Sequence, residues 1–331
     1  AQTAQGGAGG AGAIGGNGGN ASSTLTFTDS AASTINATTT AIGGAGGAGA
    51  TAGLGGLATS TVVATTTLGA KVNATAKATA GANGDGLTTT VASSNATVNG
   101  ASAGFASAQS NAVIAQGSVS ASATSPVGGP ASAGASAGVV DNFPGTLPTS
   151  PGESYAFAVL HSGATPFITI GGQSTYGFGG VSIGYGGTGE ALTYQTSTAF
   201  NFTTPLSGHL GLNFFDPTFL GSSIVDSTIT ISVNGVEQRF YNFSSLSSLE
   251  HFFANGGVVN LGAFYRGGSS VEVDFSETLN APGSGVSFLY DLGSGPTYSA
   301  PGPGPGDGLL GSAALLAFLL MAKVAARDCR L

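Results

Sequence analysis

Charged side chains are scarce. Asp, Glu, Lys and Arg make up 7% of the 331 residues, against about 25% in an ordinary soluble domain. That scarcity disfavours an ordinary cytoplasmic enzyme, whose solubility and site chemistry both draw on charge. Basic residues are the scarcer sign: seven Lys and Arg stand against fifteen Asp and Glu, a formal net charge of −8. A nucleic-acid binder needs a basic footprint to displace counterions from phosphate, so that class is excluded. Trp is absent, and Met and Cys occur once each, at Met321 and Cys329. A single thiol excludes an internal disulfide and argues against a redox or Cys-nucleophile role.

What is abundant is Gly, at 58 residues, and its distribution divides the chain. Residues 1–140 carry only Asp29, Asp85, Lys71 and Lys77 as charges and only Phe27 and Phe105 as Phe. Most acids, and most of the large apolar side chains that supply burial energy, fall in residues 141–297. The expected organisation is a Gly/Ala/Thr/Ser-rich repeat region over 1–140, a β-sandwich domain over 141–297, a Pro/Gly linker over 298–308, an apolar helix over 309–326 and a basic end over 327–331.

In the first region the run Gly6-Gly7-Ala8-Gly9-Gly10-Ala11-Gly12 returns as Gly43-Gly44-Ala45-Gly46-Gly47-Ala48-Gly49. Ala/Thr/Ser/Val stretches at 33–42, 58–68, 71–80, 87–98 and 111–124 contain β-branched residues in partial alternation. Strand-like units at a loose spacing of about 20 residues, joined by Gly-rich turns such as 81–86, suggest a β-solenoid. A flexible stalk and a bundle of polyproline-like Gly strands are the competing readings. The runs Thr38-Thr39-Thr40, Thr65-Thr66-Thr67 and Thr88-Thr89-Thr90 suggest exposed ladders, and a regular Thr array can order water or ice. Plain β-propensity with the hydroxyl outward is the preferred reading of them. Asn-x-Ser/Thr sequons at Asn20, Asn36, Asn73, Asn95, Asn201 and Asn242 are expected by chance in so Ser/Thr-rich a chain.

From about Asp141 the texture becomes that of antiparallel strands, expected at 154–161, 166–170, 191–202, 209–215, 228–233, 236–243, 270–277 and 286–290. Val271-Glu272-Val273-Asp274-Phe275 alternates as a half-buried strand does. Asn234-Gly235 marks a type I′ hairpin. A helix is expected over 247–255, with Ser247 and Glu250 as a capping box and Gly256-Gly257 as the stop. The pattern predicts a jelly-roll-like sandwich.

Chemical motifs are weak here. Gly180-Val181-Ser182-Ile183-Gly184 fits a nucleophile elbow, with Asp216, Asp226 and His251 following in hydrolase order, but no helix follows the turn. Gly184, Gly186 and Gly189 fit a dinucleotide fingerprint equally literally. Both match by chance in a chain with this much Gly, so a Gly-rich loop is expected and no catalytic or cofactor-binding residue is assigned. His161, His209 and His251 fall on different elements and lack zinc spacing. Glu272 and Asp274, with Glu277, are weak Ca²⁺ candidates, although acids alternating on a strand are usually its wet face. Tyr155, Tyr176, Tyr185, Tyr194, Tyr241 and Tyr265 are candidates for a carbohydrate-binding surface.

The tail carries the strongest signal. Pro301, Pro303 and Pro305 alternate with Gly, and an apolar run follows from Leu309 through Phe318 to Met321. Continued through Lys323 to Ala326, it approaches the length of about 20 residues that a bilayer core requires. Arg327 and Arg330 then place positive charge at the end. This order of Pro-rich motif, short apolar helix and basic residues resembles the PEP-CTERM sorting tails of Gram-negative surface proteins, with the three prolines standing where that family has Val-Pro-Glu-Pro. The resemblance implies export, recognition by a membrane protease-transpeptidase, and association with exopolysaccharide or biofilm matrix. Ala1-Gln2 fits the residue pair left behind a signal-peptidase site. The expectation is a mainly β, non-enzymatic exported surface or matrix protein. Its expected partners are the membrane, through the C-terminal helix, a sorting enzyme and a polysaccharide, and no cofactor is expected unless Ca²⁺. A carbohydrate- or Ca²⁺-binding module is the alternative, and a secreted hydrolase the weaker one.

Overall fold

A computed structural model describes residues 1–66, 71–85, 92–99, 103–112, 117–125, 131–138, 174–185, 190–202, 209–221, 224–254, 257–263 and 269–295. Among them the chain is mainly β. In order, the strands of the first half are β1 (Gln2–Gln5), β2 (Ala21–Asp29), β3 (Thr34–Ile42), β4 (Ala58–Thr66), β5 (Lys71–Thr79), β6 (Ala92–Asn99), β7 (Ala103–Ala112), β8 (Gly117–Ser125) and β9 (Ala131–Gly138). There follow β10 (Ser174–Gly184), β11 (Leu192–Phe202), β12 (His209–Leu220), β13 (Ile224–Val233), β14 (Val236–Phe243), helix α1 (Leu246–Ala254), β15 (Gly257–Ala263), β16 (Ser269–Leu279) and β17 (Gly285–Gly295).

These strands form two sheets. One runs β1-β3-β5-β7-β9-β10-β17-β12-β15 and the other β14-β13-β16-β11-β8-β6-β4-β2. In the first half each turn of chain lays one strand in each sheet, and successive turns stack in parallel register. The repeat is 37 residues at the start, where Gln2 pairs with Thr39, Ala21 with Ala58 and Thr34 with Lys71. It then shortens, with Ala92 paired to Val119 and Ser107 to Ser132. The spacing of about 20 residues read from the sequence is thus half a coil. The first two Thr runs form no ladder with each other, because Thr38–Thr40 lie on one sheet and Thr65–Thr66 on the other. Within each run alternate side chains point oppositely, and Thr39 is buried against Ser60 at 2.7 Å. The third run, 88–90, is outside the described residues.

The Gly runs are neither strand nor turn. Gly6 N–H donates to Ile42 O at 2.8 Å, Gly9 to Ala45 O at 2.8 Å, Gly16 to Gly10 O at 2.8 Å and Gly19 to Gly7 O at 2.7 Å. The three-residue step is that of polyproline II, whose backbone has no internal hydrogen bonds and therefore bonds to its neighbours. Adjacent segments approach so closely that a Cβ built on Gly44 would lie 2.0 Å from Gly7 O. Asn side chains complete the bundle, Asn17 Oδ1 accepting from Leu54 N–H and Asn20 Oδ1 from Leu57 N–H, both at 2.9 Å. The coils shorten as this excursion shrinks, since the connection from β1 to β2 spans 6–20 and that from β7 to β8 only 113–116.

The two sheets continue into the second half without a break. β10 lies parallel to β9, and β11 parallel to β8, before the remaining pairs turn antiparallel. Residues 1–298 accordingly form one compact unit, and 299–331 lie outside the described residues. The core between the sheets changes character along this axis. In the coiled half it is Ala and Val with buried hydroxyls such as Thr39, Ser60 and Ser94. Beyond β9 it widens to Phe and Tyr. Phe214, Phe253 and Phe275 pack on Phe288 at centroid distances of 5.4, 5.0 and 5.1 Å. Helix α1 connects edge strands β14 and β15, and its buried Leu249, Phe252 and Phe253 close the interlayer space. Its cap is Ser245, whose Oγ accepts from Ser248 N–H at 3.2 Å, two residues before the Ser247/Glu250 box read from the sequence. The Asn234-Gly235 hairpin is as expected, with φ of 53° and 72°.

Among the described residues no helix is long and apolar enough to cross a membrane. The expected span 309–326, the Pro/Gly motif and the strands at 154–161 and 166–170 lie outside those residues.

The Gly bundle yields a paired expectation. Gly44→Ala, which meets a backbone carbonyl, should cost about 1–3 kcal/mol by overpacking. Gly7→Ala, which meets nothing within 4 Å, should shift stability by no more than about 0.5 kcal/mol. Urea midpoints of the two variants check this, and equal midpoints would contradict the bundle.

Candidate functional site

The alternation of the strands sends every second side chain outward. On the sheet that contains β2, β4, β6 and β8 the outward residues are almost all hydroxyls and amides. The ladders run Thr24–Thr61–Asn95, Thr26–Val63–Thr97–Thr124 and Thr28–Thr65–Asn99. β11 continues the second of these with Asn201, which donates from Nδ2 to Ser122 Oγ at 3.1 Å, and a fourth ladder, Thr59–Ser93–Ser120, with Ser197. On the other sheet Asn73 Nδ2 donates to Asn36 Oδ1 at 2.8 Å across one coil. That other sheet also carries the exposed Lys77 of β5, whereas the outer face of the first is uncharged until β16, where Glu272 and Asp274 appear.

Those two acids are half-buried on the outer face. Ser197 donates to Glu272 Oε1 at 2.8 Å and stands opposite Asp274 in the ladder. Partial burial raises the Asp274 pKa, the Ser197 hydroxyl opposes that shift, and the Glu272 charge adds to it. Among the described residues no group of three or more His, Cys, Asp or Glu side chains is placed to hold a metal ion. Glu277, read as part of the same wet face, points the other way. The register is Val271, Val273, Phe275, Glu277, Leu279 inward, and Glu277 is 0% exposed.

Glu277 and Asp291 are the two unexpected features. Neither Glu277 oxygen has a hydrogen-bond partner among the described residues. Burial holds its pKa well above the usual carboxylate range, and Ser227 opposite it in the ladder offsets that only in part. Asp291 lies on central strand β17, accepts from Asn213 Nδ2 at 3.0 Å, and is pushed up by burial to about 8. Asp291 is therefore mostly protonated at neutral pH, and Glu277 is shifted in the same direction. A run such as Phe288-Leu289-Tyr290-Asp291-Leu292 offers a signal for this, because a strand buried on both faces reads as a continuous apolar stretch and its acid is buried with it.

The remaining sequence candidates disperse. Ser182 is a buried residue of β10, paired with Ser287 on β17 and Ser136 on β9, so it sits in a sheet centre and not on a sharp turn. Asp216, Asp226 and His251 are exposed on other elements. The region expected as a Gly-rich loop is thus a strand through Gly184, while Gly186 and Gly189 are outside the described residues. Glycine is needed at 179 because the Tyr290 ring lies over it, with Cζ 1.9 Å from where a Cβ would stand. The Tyr290 hydroxyl reaches Thr198 in the facing sheet. Tyr176, Tyr185 and Tyr194 are buried and cannot form a glycan-stacking platform, Tyr241 is half-buried, and Tyr155, Tyr265 and His161 are outside the described residues. The tail residues Pro301, Pro303, Pro305, Leu309, Phe318, Lys323, Arg327 and Arg330 are likewise outside.

No protein-family model matches the chain, and neither does any curated protein or solved structure.

The buried acids make stability depend on pH with a definite sign. An acid whose folded pKa is raised holds its proton more tightly when folded, so rising pH favours unfolding. For Asp291 the stability is whole below the ordinary value of 3.8 and is lost as pH rises through about 8. The urea midpoint should be lower at pH 9 than at pH 5, by a loss on the order of a few kcal/mol. Asp291→Asn should flatten part of that slope and leave the share due to Glu277. A wild-type midpoint equal at the two pH values would contradict the assignment.

Proposed function

We propose that the chain is an exported, non-enzymatic structural or adhesive protein of a cell surface or extracellular matrix. Its first 140 residues serve as a β-solenoid stalk built onto a jelly-roll-like sandwich, and the sequence after residue 300 serves as a sorting or anchoring tail. The observation that supports this is the pair of unbroken sheets. They join the Gly/Ala/Thr-rich half to the aromatic-packed half as one framework, and they spread a Thr/Ser/Asn surface with few charges along the coiled half. Such a framework resists deformation, because each coil is bonded to the next along whole strands. The tail resemblance supports export and handling by a membrane protease-transpeptidase.

Intact mass of the protein from membrane and secreted fractions of its native host tests this reading. Loss of about 25–30 residues from the C-terminal end, a membrane-spanning length, is expected in the secreted or surface-released form. Full-length protein confined to the cytosol would overturn it.

A second reading, Ca²⁺ binding, rests on the Glu272–Ser197–Asp274 arrangement alone. Calorimetric titration should then show saturable heat that Glu272→Gln abolishes, and a flat titration removes it.

A further inference from the structure

Among the described residues two that are not glycine have positive φ, Asn234 at 53° and Asp216 at 47°. The hairpin turn accounts for Asn234. Asp216 stands inside β12, and the residue after it is Pro217. A short polar side chain tolerates positive φ in a turn. Ahead of proline the tolerance is lost, because the ring Cδ presses on the backbone N–H and Cβ of the preceding residue and drives it to a φ of about −120°.

The ladder gives way at the same place. Phe215 pairs with Leu289 of β17 and Thr218 with Ser287, so Asp216 and Pro217 together oppose the single Phe288 in a bulge. Asp216 is exposed and Pro217 only partly buried, which puts the bond between them at the surface. This is also the chain's sole Asp–Pro bond. In such a pair a carboxyl oxygen of Asp reaches its own main-chain carbonyl carbon by closing a small ring, and a carboxyl group in that position is a nucleophile. The proline nitrogen has no N–H and is more basic than other amide nitrogens, so it leaves more readily.

We propose that Asp216–Pro217 is a self-cleavage site, at which the folded chain converts itself once into two chains. An Asp216 carboxyl oxygen forms a bond to the Asp216 carbonyl carbon. The carbon–nitrogen bond to Pro217 breaks, its electron pair stays on the Pro217 nitrogen, and that nitrogen takes a proton from water. Water then opens the cyclic anhydride, leaving Asp216 with two carboxyl groups and Pro217 as a new amino terminus. One water is consumed, and nothing is oxidised or reduced. Breaking the bond removes the clash that proline imposes on Asp216, so the strain held in the bulge lowers the barrier that remains. Both products stay in the framework. The part ending at Asp216 carries β10 and β11, and the part beginning at Pro217 carries their ladder partners β17 and β16. The inference is independent of export and of the tail.

Intact mass of the purified full-length chain in detergent, kept folded with protease inhibitors and unfolded only for analysis, tests it. Fragments 1–216 and 217–331 should accumulate with time, their masses adding to that of the parent plus one water, while the elution volume in native gel filtration stays unchanged. The same chain held in urea, where the bulge is absent, should cleave about tenfold more slowly, as relief of strain of this kind implies. Asp216→Asn keeps a residue tolerant of positive φ and removes the carboxyl nucleophile. Pro217→Ala restores an ordinary amide. Each should slow cleavage at least tenfold with an unchanged circular dichroism spectrum. A wild-type chain that stays intact, cleavage as fast in urea as in the folded state, or cleavage indifferent to Asp216→Asn would each overturn the proposal.

Discussion

The parallel pairing of each coil with the next at a 37-residue step is the constraint on which the rest of the molecule depends. A coil of Ala, Thr, Ser and Gly buries too little on its own to offset the entropy of ordering it. Stacked in register, each coil satisfies its neighbour's backbone and covers its neighbour's inner row, so Val62, Ala64, Val72 and Ala74 reach complete burial with small side chains. The Gly bundle follows from the same register. Segments that leave one sheet and return to the other are brought side by side at the coil spacing, and only glycine tolerates the resulting approach.

The same pairing joins the two halves. Because β10 and β11 add in parallel to β9 and β8, the antiparallel half inherits the sheets of the coiled half. Its Phe- and Tyr-rich core is a widening of the one narrow interlayer and not a separate nucleus. Tyr290 marks the transition well. Its ring needs the gap at Gly179, and its hydroxyl spans to Thr198, so one side chain ties both sheets where the small-residue core gives way to the aromatic one. Two buried acids with raised pKa values inside such a framework connect its stability to pH more tightly than its low charge content suggests.

Local chemistry was legible in the sequence wherever a short-range rule decided it. The Asn234-Gly235 hairpin, the alternation of 271–275, the helix after residue 245 and the strands at 34–42, 58–66 and 71–79 were all readable. What escaped were elements decided by neighbours. β7 and β9 are Ala/Ser/Gly strands with almost no β-branched residue, and they exist because β5 lies beside β7 and β7 beside β9. β10 carries so many glycines that it reads as a loop, yet it is a central strand held between β9 and β17. Glu277 sits on the apolar side of an alternation whose earlier acids face water, a difference of parity that acid counting overlooks. The 37-residue period was hidden because each coil contributes two similar strands, which halves the apparent spacing.

Amide hydrogen exchange over the whole chain tests the central claim most directly. If the sheets run unbroken, the amides of β4, β5 and β6 should be protected to a degree comparable with those of β11, β16 and β17, and should be lost with them in one cooperative unfolding event. Rapid exchange throughout residues 1–138 beside a protected 174–295 would contradict the account, since it would make the Gly-rich half a flexible stalk on an independent domain.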